Sequence, residues 1–311
     1  MRALRSRMAG HIEKFSSTRA VGAVGTVLFV LIQIAGLAAF AAPFVNPQEA
    51  TNEAFARAGD APLVLGVTLC ALFALLGLMR VNARHIAVLG ILCAVNSALR
   101  LVEVTVLPLP GGFSPMFLLI IVSGYAYGAR FGFLTGAFSL LSSALITGGV
   151  GPWLPFEMFG AGWVGLTAGL ISDCRFRISD FGLPIAHGRS SITSGADRQS
   201  TIENRQSKID LVFLLPFGFV WGFVYGALLN LYFWPVIDAG AGISYQAGVG
   251  IGDALQRYAA FYVTTSLWWD VFSAIGNAAL LAWLGLPLLR ALQRFGRRFQ
   301  FEVAPQFSVS D

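Results

Sequence analysis

Apolar residues in this chain run in long, nearly unbroken stretches, separated by short segments rich in Arg, Gly and Pro. A helix crossing a hydrocarbon core of roughly 30 Å needs about 20 mostly apolar residues. The pattern predicts eight such spans, at about 21–45, 62–79, 86–107, 113–129, 131–147, 156–173, 210–234 and 259–289. The last is long enough to tilt or to begin outside the core. Gly and Pro recur inside these runs, where membrane helices tolerate them because neighbouring helices re-satisfy the freed backbone groups. The fold class that follows is an all-α polytopic membrane protein.

Composition agrees with the pattern. Of 311 residues, 56% are hydrophobic and 12% charged, whereas a soluble domain carries about a quarter charged residues. The net charge of +5 reflects where the basic residues sit, not an affinity for nucleic acid. Five precede the first span (Arg2, Arg5, Arg7, Lys14, Arg19), Arg80 and Arg84 follow the second, and Arg130 separates the fourth from the fifth. Six lie between the sixth and seventh (Arg175, Arg177, Arg189, Arg198, Arg205, Lys208), and four follow the last (Arg290, Arg294, Arg297, Arg298). On the opposite side stand Arg57 and Arg257, with Arg100 inside a span. Cytoplasmic loops carry the Lys and Arg excess, so both termini and the 174–209 loop are expected in the cytoplasm, with the chain in the cell (inner) membrane. The first span is too long for a signal-peptide core and lacks an A-x-A cleavage site, so it is kept as a helix.

The loops differ in kind. Residues 174–209 form a polar tract holding a seven-residue near-repeat, Asp197–Glu203 followed by Asn204–Asp210. Its apolar content is too low for a core, which fits a flexible linker better than a docking element. Segments 108–112, 148–155 and about 235–258 are rich in turn formers and aromatics, the composition of shaped lids.

Ionisable side chains inside a span cost at least about 2.5 kcal/mol on insertion scales and therefore point to function. The third span places Asn96, Arg100 and Glu103 within about 60° of one another, and Arg100 and Glu103 are spaced to pair. On nearly the opposite face, Gly90, Ala94 and Ala98 form a small-residue stripe that would admit another helix closely. In the last span Tyr262, Ser266, Trp269, Asp270, Ser273 and Asn277 share one side of the helical wheel. With Trp153 and Glu157, these groups would line a cavity open to the outside, Arg and carboxylates meeting polar groups and Trp a flat ring. The alternatives are a purely structural bridge from Arg100 to Glu103 or Asp270, and interfacial anchoring for Trp153, Trp268 and Trp269. Small-residue ladders through Gly128, Gly132 and Gly136, through Ala161, Gly165 and Gly169, and through Gly218, Gly222 and Gly226 predict close internal packing.

Several chemistries lack their residues. There is no G-x-x-x-x-G-K-[ST] loop, no H-E-x-x-H and no G-x-S-x-G elbow. Cys70, Cys93 and Cys174 show no metal-ligand spacing, and His11, His85 and His187 are scattered. No metal site and no cofactor on this chain are expected. Glu103 with Asp270 forms only a weak candidate pair for an intramembrane acid–base enzyme. The halves also lack the inverted similarity of many secondary transporters.

Residues from about 80 to 173 carry a family resemblance. They include Gly90, Ala94 and Ala98, then Gly124-Tyr125-Ala126-Tyr127-Gly128-Ala129-Arg130-Phe131-Gly132, then Gly149-Val150-Gly151-Pro152-Trp153-Leu154-Pro155-Phe156-Glu157-Met158, and finally Gly162, Trp163 and Gly165. This stretch resembles the substrate-binding (S) components of energy-coupling factor transporters, the vitamin-uptake branch of the ATP-binding cassette importers. The G-x-G-P-W-x-P-[FW]-x-M segment is similar to one in S components linked with uptake of cobalamin or related cofactors. The resemblance implies a six-helix substrate-binding domain at 81–290, containing the 174–209 loop, with 108–112, 148–155 and 235–258 capping the ligand. It implies that Gly90, Ala94 and Ala98 dock on a transmembrane coupling subunit and that two partner ATPase subunits hydrolyse ATP. Around that domain lie a cytoplasmic segment at 1–19, two additional helices within 20–80, and a tail at 291–311.

The reading that results is a binding subunit for a vitamin-like molecule that performs no covalent chemistry. Its expected ligand contacts are Asn96, Arg100, Glu103, Trp153, Glu157, Trp269, Asp270 and Asn277. The competing readings are an intramembrane enzyme using Asp270 and Glu103, and a structural membrane subunit without a ligand.

Overall fold

A backbone surrounded by hydrocarbon must satisfy its own hydrogen bonds, and an uninterrupted apolar run does so most directly as a helix. The computed structural model describes residues 22–41, 44, 54–78, 83–105, 114–180, 195–235, 237, 239–240, 242–246 and 248–298, and these contain no strand. The helices are α1 (Gly22–Ala41), α2 (Ala54–Leu78), α3 (Ala83–Thr105), α4 (Met116–Tyr127), α5 (Ala129–Thr147) and α6 (Leu154–Asp180). They continue as α7 (Gly195–Phe233), α8 (Ile251–Thr265), α9 (Leu267–Leu280), a π-helical turn at Leu281–Gly285, and α10 (Leu286–Arg298). Of the expected segments, 1–19, 108–112, 181–194 and 299–311 lie outside the described residues.

Among the described residues, six helical stretches are long and apolar enough to cross a membrane: Gly22–Ala41, His85–Thr105, Ala129–Thr147, Leu154–Cys174, Asp210–Phe233 and Leu267–Phe295. Shorter apolar helices at Val64–Gly77 and Met116–Tyr127 occupy the other two predicted spans. The fourth span is thus corrected to a helix of 12 residues, about 18 Å long. It stops because Gly128 has φ 92° and ψ 170°, a backbone state open to glycine and strained for residues with a Cβ. The short α4 is buried at every position from Met116 to Tyr125. A helix apolar on all sides belongs in the middle of a bundle, and α4 fills that place.

Two more boundaries differ from the expectation. The last span, read as continuous over 259–289, breaks at Ser266, which leaves the helical region (φ −133°, ψ −22°). The candidate membrane segment therefore begins at Leu267 and runs through the π turn. The tract read as a flexible linker at 174–209 is helical at both ends, since α6 continues to Asp180 and α7 starts at Gly195. Residues 195–209 are rich in Gln, Glu, Arg and Lys, all good helix formers. An adjoining membrane helix removes the nucleation cost that such a segment would face alone.

The small-residue ladders form the seams. Gly132 and Gly165 meet backbone to backbone, Gly136 meets Ala161, and Gly169 meets Ala129, so that α5 and α6 touch along three turns. A Cβ at any of these glycines would overlap main-chain atoms of the opposing helix. On the other side of the bundle Gly222 abuts the backbone of Ala274, drawing α7 onto α9. The α3–α5 contact is polar instead: Asn96 Nδ2 donates to Ser139 Oγ at 2.9 Å, and the Ser97 and Ser142 hydroxyls lie 2.6 Å apart. Hydrogen bonds tie the opposite end together, from Tyr125 to Asp210 Oδ1 (2.8 Å) and from Tyr127 to the Leu292 carbonyl (2.9 Å).

A candidate binding site at the Trp153 end

Polar residues gather where the bundle carries Trp153 and residues 235–250. They fall into two groups, one around Tyr225 and one around Gly226, neighbouring residues of α7. The first joins α3, the start of α4, α6 and α7. Ser114 is buried just before α4 and donates to Glu103 Oε2 at 2.8 Å. Glu103 is thus hydrogen-bonded to Ser114, where the spacing on α3 had anticipated a direct pairing with Arg100. The charge of Arg100 acts on Glu103, Glu157 and Tyr225 together, so a cation from α3 faces carboxylates from α3 and α6. Tyr225 fits against Gly160, where an added Cβ would lie 3.0 Å from its ring, and Phe117 packs edge-on to it at 4.8 Å. The chemistry on offer is one cation, two carboxylates, a phenol and an aromatic wall.

The second group lies between α7, α8 and α9. Asp270 is 7% exposed and its carboxylate fills the notch left by Gly226. Tyr258 and Tyr262, one turn apart on α8, both face it electrostatically. The Tyr258 hydroxyl donates to the Ala227 carbonyl. The hydroxyl of Tyr262 and the carboxylate of Asp270 are buried side by side and interact with each other, while Nδ2 of Asn230 is buried without a hydrogen-bond partner. Buried polar atoms are normally paired, so Asn230 retains hydrogen-bonding capacity there. Further along α9, Ser273 and Asn277 are buried on the same face, and Asn277 Nδ2 donates to the Gly218 carbonyl at 3.3 Å.

The expected residues therefore do not form one constellation. Arg100, Glu103 and Glu157 come together, while Asp270 stands in the other group. Glu103 is bonded to Ser114 and Asp270 is seated against Gly226, so the two candidate carboxylates have different neighbours. Asn96 is 1% exposed and serves the α3–α5 contact, though its Oδ1 has no partner. Asn277 is likewise engaged between α9 and α7. Trp269 leaves the group: it is 58% exposed, because α9 turns the positions 270, 273 and 277 inward and carries 269 onto the outer surface beside Trp268. Trp153 is 38% exposed; its Nε1 donates to the Gly149 carbonyl at 3.2 Å and its ring covers Gly151, which fixes it at the rim. Gly90, Ala94 and Ala98 are exposed, and a Cβ at Gly90 would meet nothing within 4 Å.

Sequence reasoning missed Tyr225, Ser114, Phe117 and Tyr258. Signals existed for two of them. Tyr225 directly precedes the last glycine of the α7 ladder, and Tyr258 sits four residues before Tyr262. For Ser114 and Phe117 no spacing linked them to Glu103 or Tyr225; only the chain's return into the bundle does.

A family model described as the ECF transporter substrate-specific component matches residues 84–285, from the start of α3 through the π turn. The helices α1 and α2 lie outside the matched residues. No curated protein and no solved structure matches the chain.

Proposed function

The chain belongs to the family of substrate-specific components of energy-coupling factor (ECF) transporters, and on that premise we propose that it captures a vitamin-like small molecule at the Trp153 end and delivers it across the membrane. It is a multi-pass membrane protein and a transporter component; the family is not one of enzymes. The Trp153 end faces outside and both termini face the cytoplasm, in keeping with the distribution of Arg and Lys. The coupling partners are a transmembrane subunit that docks on Gly90, Ala94 and Ala98, and two ATPase subunits that energise release.

The observation that carries this reading is the convergence of Arg100, Glu103 and Glu157 beside Tyr225 and Phe117. Charges so placed in a membrane helix bundle are costly, and the charge of Arg100 acts on both carboxylates, so a polar ligand can compete for it. Its chemistry suits a cyclic molecule carrying an acceptor or anionic group for Arg100 and donors for the carboxylates. The flat face of such a ligand would lie against aromatic rings. The likeness of the Gly149–Met158 segment to cofactor-uptake components favours a vitamin or cofactor precursor, cobalamin-like in kind.

The test is purification of the full chain in detergent, followed by mass spectrometry of the small molecules that accompany it. A discrete retained compound is expected, with saturable uptake in cells that also express the coupling and ATPase subunits. Replacement of a charged partner costs about 1.5–3 kcal/mol, so Arg100→Ala should lower retention by about tenfold or more. Absence of any retained compound together with absence of saturable uptake would refute the reading.

A further inference from the structure

The helix α1 lies outside the family match, yet it is built into the Trp153 end. Its course over α5 and α6 is fixed by specific contacts. Arg130 donates to Thr26 Oγ1 at 2.5 Å and sits over the Phe29 ring, 5.8 Å from its centre. Phe29 meets Phe133 edge-on at 5.6 Å. Gln33 Oε1 accepts a hydrogen bond from Trp163 Nε1 at 2.8 Å inside the apolar contact. Gly36 provides a gap for the Phe159 ring that a Cβ would close.

Towards the Trp153 end the contacts become wholly aromatic. Phe40 is buried between Phe156 (5.1 Å, edge-on) and Trp163 (5.4 Å). Phe156 in turn stacks on Tyr232 at 4.0 Å. Beyond the end of α1, Phe44 lies 5.6 Å from Tyr245 and 6.3 Å from Trp234. Trp234 is buried and holds the loop that follows it: its Nε1 donates to the Ile243 carbonyl at 2.8 Å, and its ring packs on Tyr245 and Tyr258, each at 5.2 Å. The loop closes on itself through Ser244, which accepts from the Ala239 amide and donates to the Gly240 carbonyl. Gly240 and Gly242 turn with positive φ.

We propose that α1 is part of the binding apparatus: Phe40 and Phe44 are positioning residues that hold loop 235–250 and the end of α7 in place over the ligand. The proposal rests on the binding function above, but it names a determinant outside the six-helix unit. The geometry makes one side of the loop depend on the segment that follows α1, since Tyr245 meets both Trp234 and Phe44. Removing the Phe44 ring leaves the Trp234–Ile243 hydrogen bond intact and takes away one ring contact of Tyr245. The loop should then open more often, and a bound molecule should leave faster, while the bundle and the coupling face stay as they were.

The experiment compares the full wild-type chain with Phe44→Ala, Phe44→Tyr and Phe40→Ala in detergent. Hydrogen–deuterium exchange is read over residues 235–250, beside mass spectrometry of the retained small molecule and co-purification with the coupling subunit. Phe44→Ala is expected to speed exchange in the loop by about fivefold, the scale of losing aromatic pairs, with unchanged exchange in α5 and α6. Phe44→Tyr, which keeps the ring, should behave as wild type. Retention of the small molecule should fall in Phe44→Ala, with unaltered co-purification with the coupling subunit. Unchanged loop exchange in Phe44→Ala and Phe40→Ala overturns the proposal, and so does faster loop exchange with full retention of the molecule. If the wild type retains no molecule, the binding function fails on its own, and the exchange measurement still decides whether α1 holds the loop.

Discussion

Asp270 shows how one side chain can depend on an absent one. Its carboxylate occupies the space where any residue larger than glycine at position 226 would place its Cβ. Gly226→Ala must therefore push Asp270 out of the group it forms with Tyr258 and Tyr262. Overpacking of this kind costs about 1–3 kcal/mol, so the substitution should lower the melting temperature in detergent. Gly66→Ala, on α2 where an added Cβ would meet nothing within 4 Å, serves as the comparison. If the Arg100 group binds the ligand and the Asp270 group does not, Gly226→Ala should leave the affinity of the retained compound within about threefold of wild type once folded. A loss as large as that of Arg100→Ala would place Asp270 in the same site. Asp270, Arg100, Glu103 and Glu157 were all legible as candidates, because a charge inside a span stands out against apolar neighbours. Their grouping was not, because it depends on which residues of neighbouring helices each one meets.

Between elements, the same small residues serve two opposite purposes. In the α5–α6 seam Gly132 and Gly165 meet backbone to backbone, and a side chain there has nowhere to go. On α3, Gly90 faces outward with nothing near it. Gly132→Val should destabilise the purified protein by about 3 kcal/mol, seen as a lowered melting temperature or failure to accumulate. Gly90→Val should leave thermal stability within about 0.5 kcal/mol yet prevent co-purification with the coupling subunit. The reverse pattern would remove the docking role from α3. Spacing alone identified all of these ladders, since residues four apart share a helix face whatever the fold. Which ladder is an internal seam and which an open face depends on the neighbours. The break at Ser266 was hidden for a similar reason: the apolar pattern continues across it from 259 to 289, and only the backbone angles of Ser266 mark the turn.

For the whole molecule, the Arg and Lys distribution predicts an orientation that labelling can read directly. Cys174 is exposed at the end of the Leu154–Cys174 membrane segment, while Cys93 is buried. In a Cys70→Ser background, a membrane-impermeant maleimide should label Cys174 in inside-out vesicles and leave it unmodified in right-side-out ones. Labelling from the outside would invert the topology and, with it, the assignment of the Trp153 end as the entry side.

The sequence by itself determined the helical membrane class, the family likeness and the charged residues of interest. Each of these is written in local composition: apolar runs long enough to span, basic residues between them, and a contiguous glycine–aromatic segment. Tertiary structure decided that α4 is a short buried helix. It also separated Asp270 from Arg100 and carried the rings of Phe40 and Phe44 to the end of a bundle whose family segment begins 40 residues later, at position 84. Those outcomes depend on contacts between residues far apart in the chain, where close approach at glycines and the fit of rings select the partners, and no periodicity along the sequence encodes them.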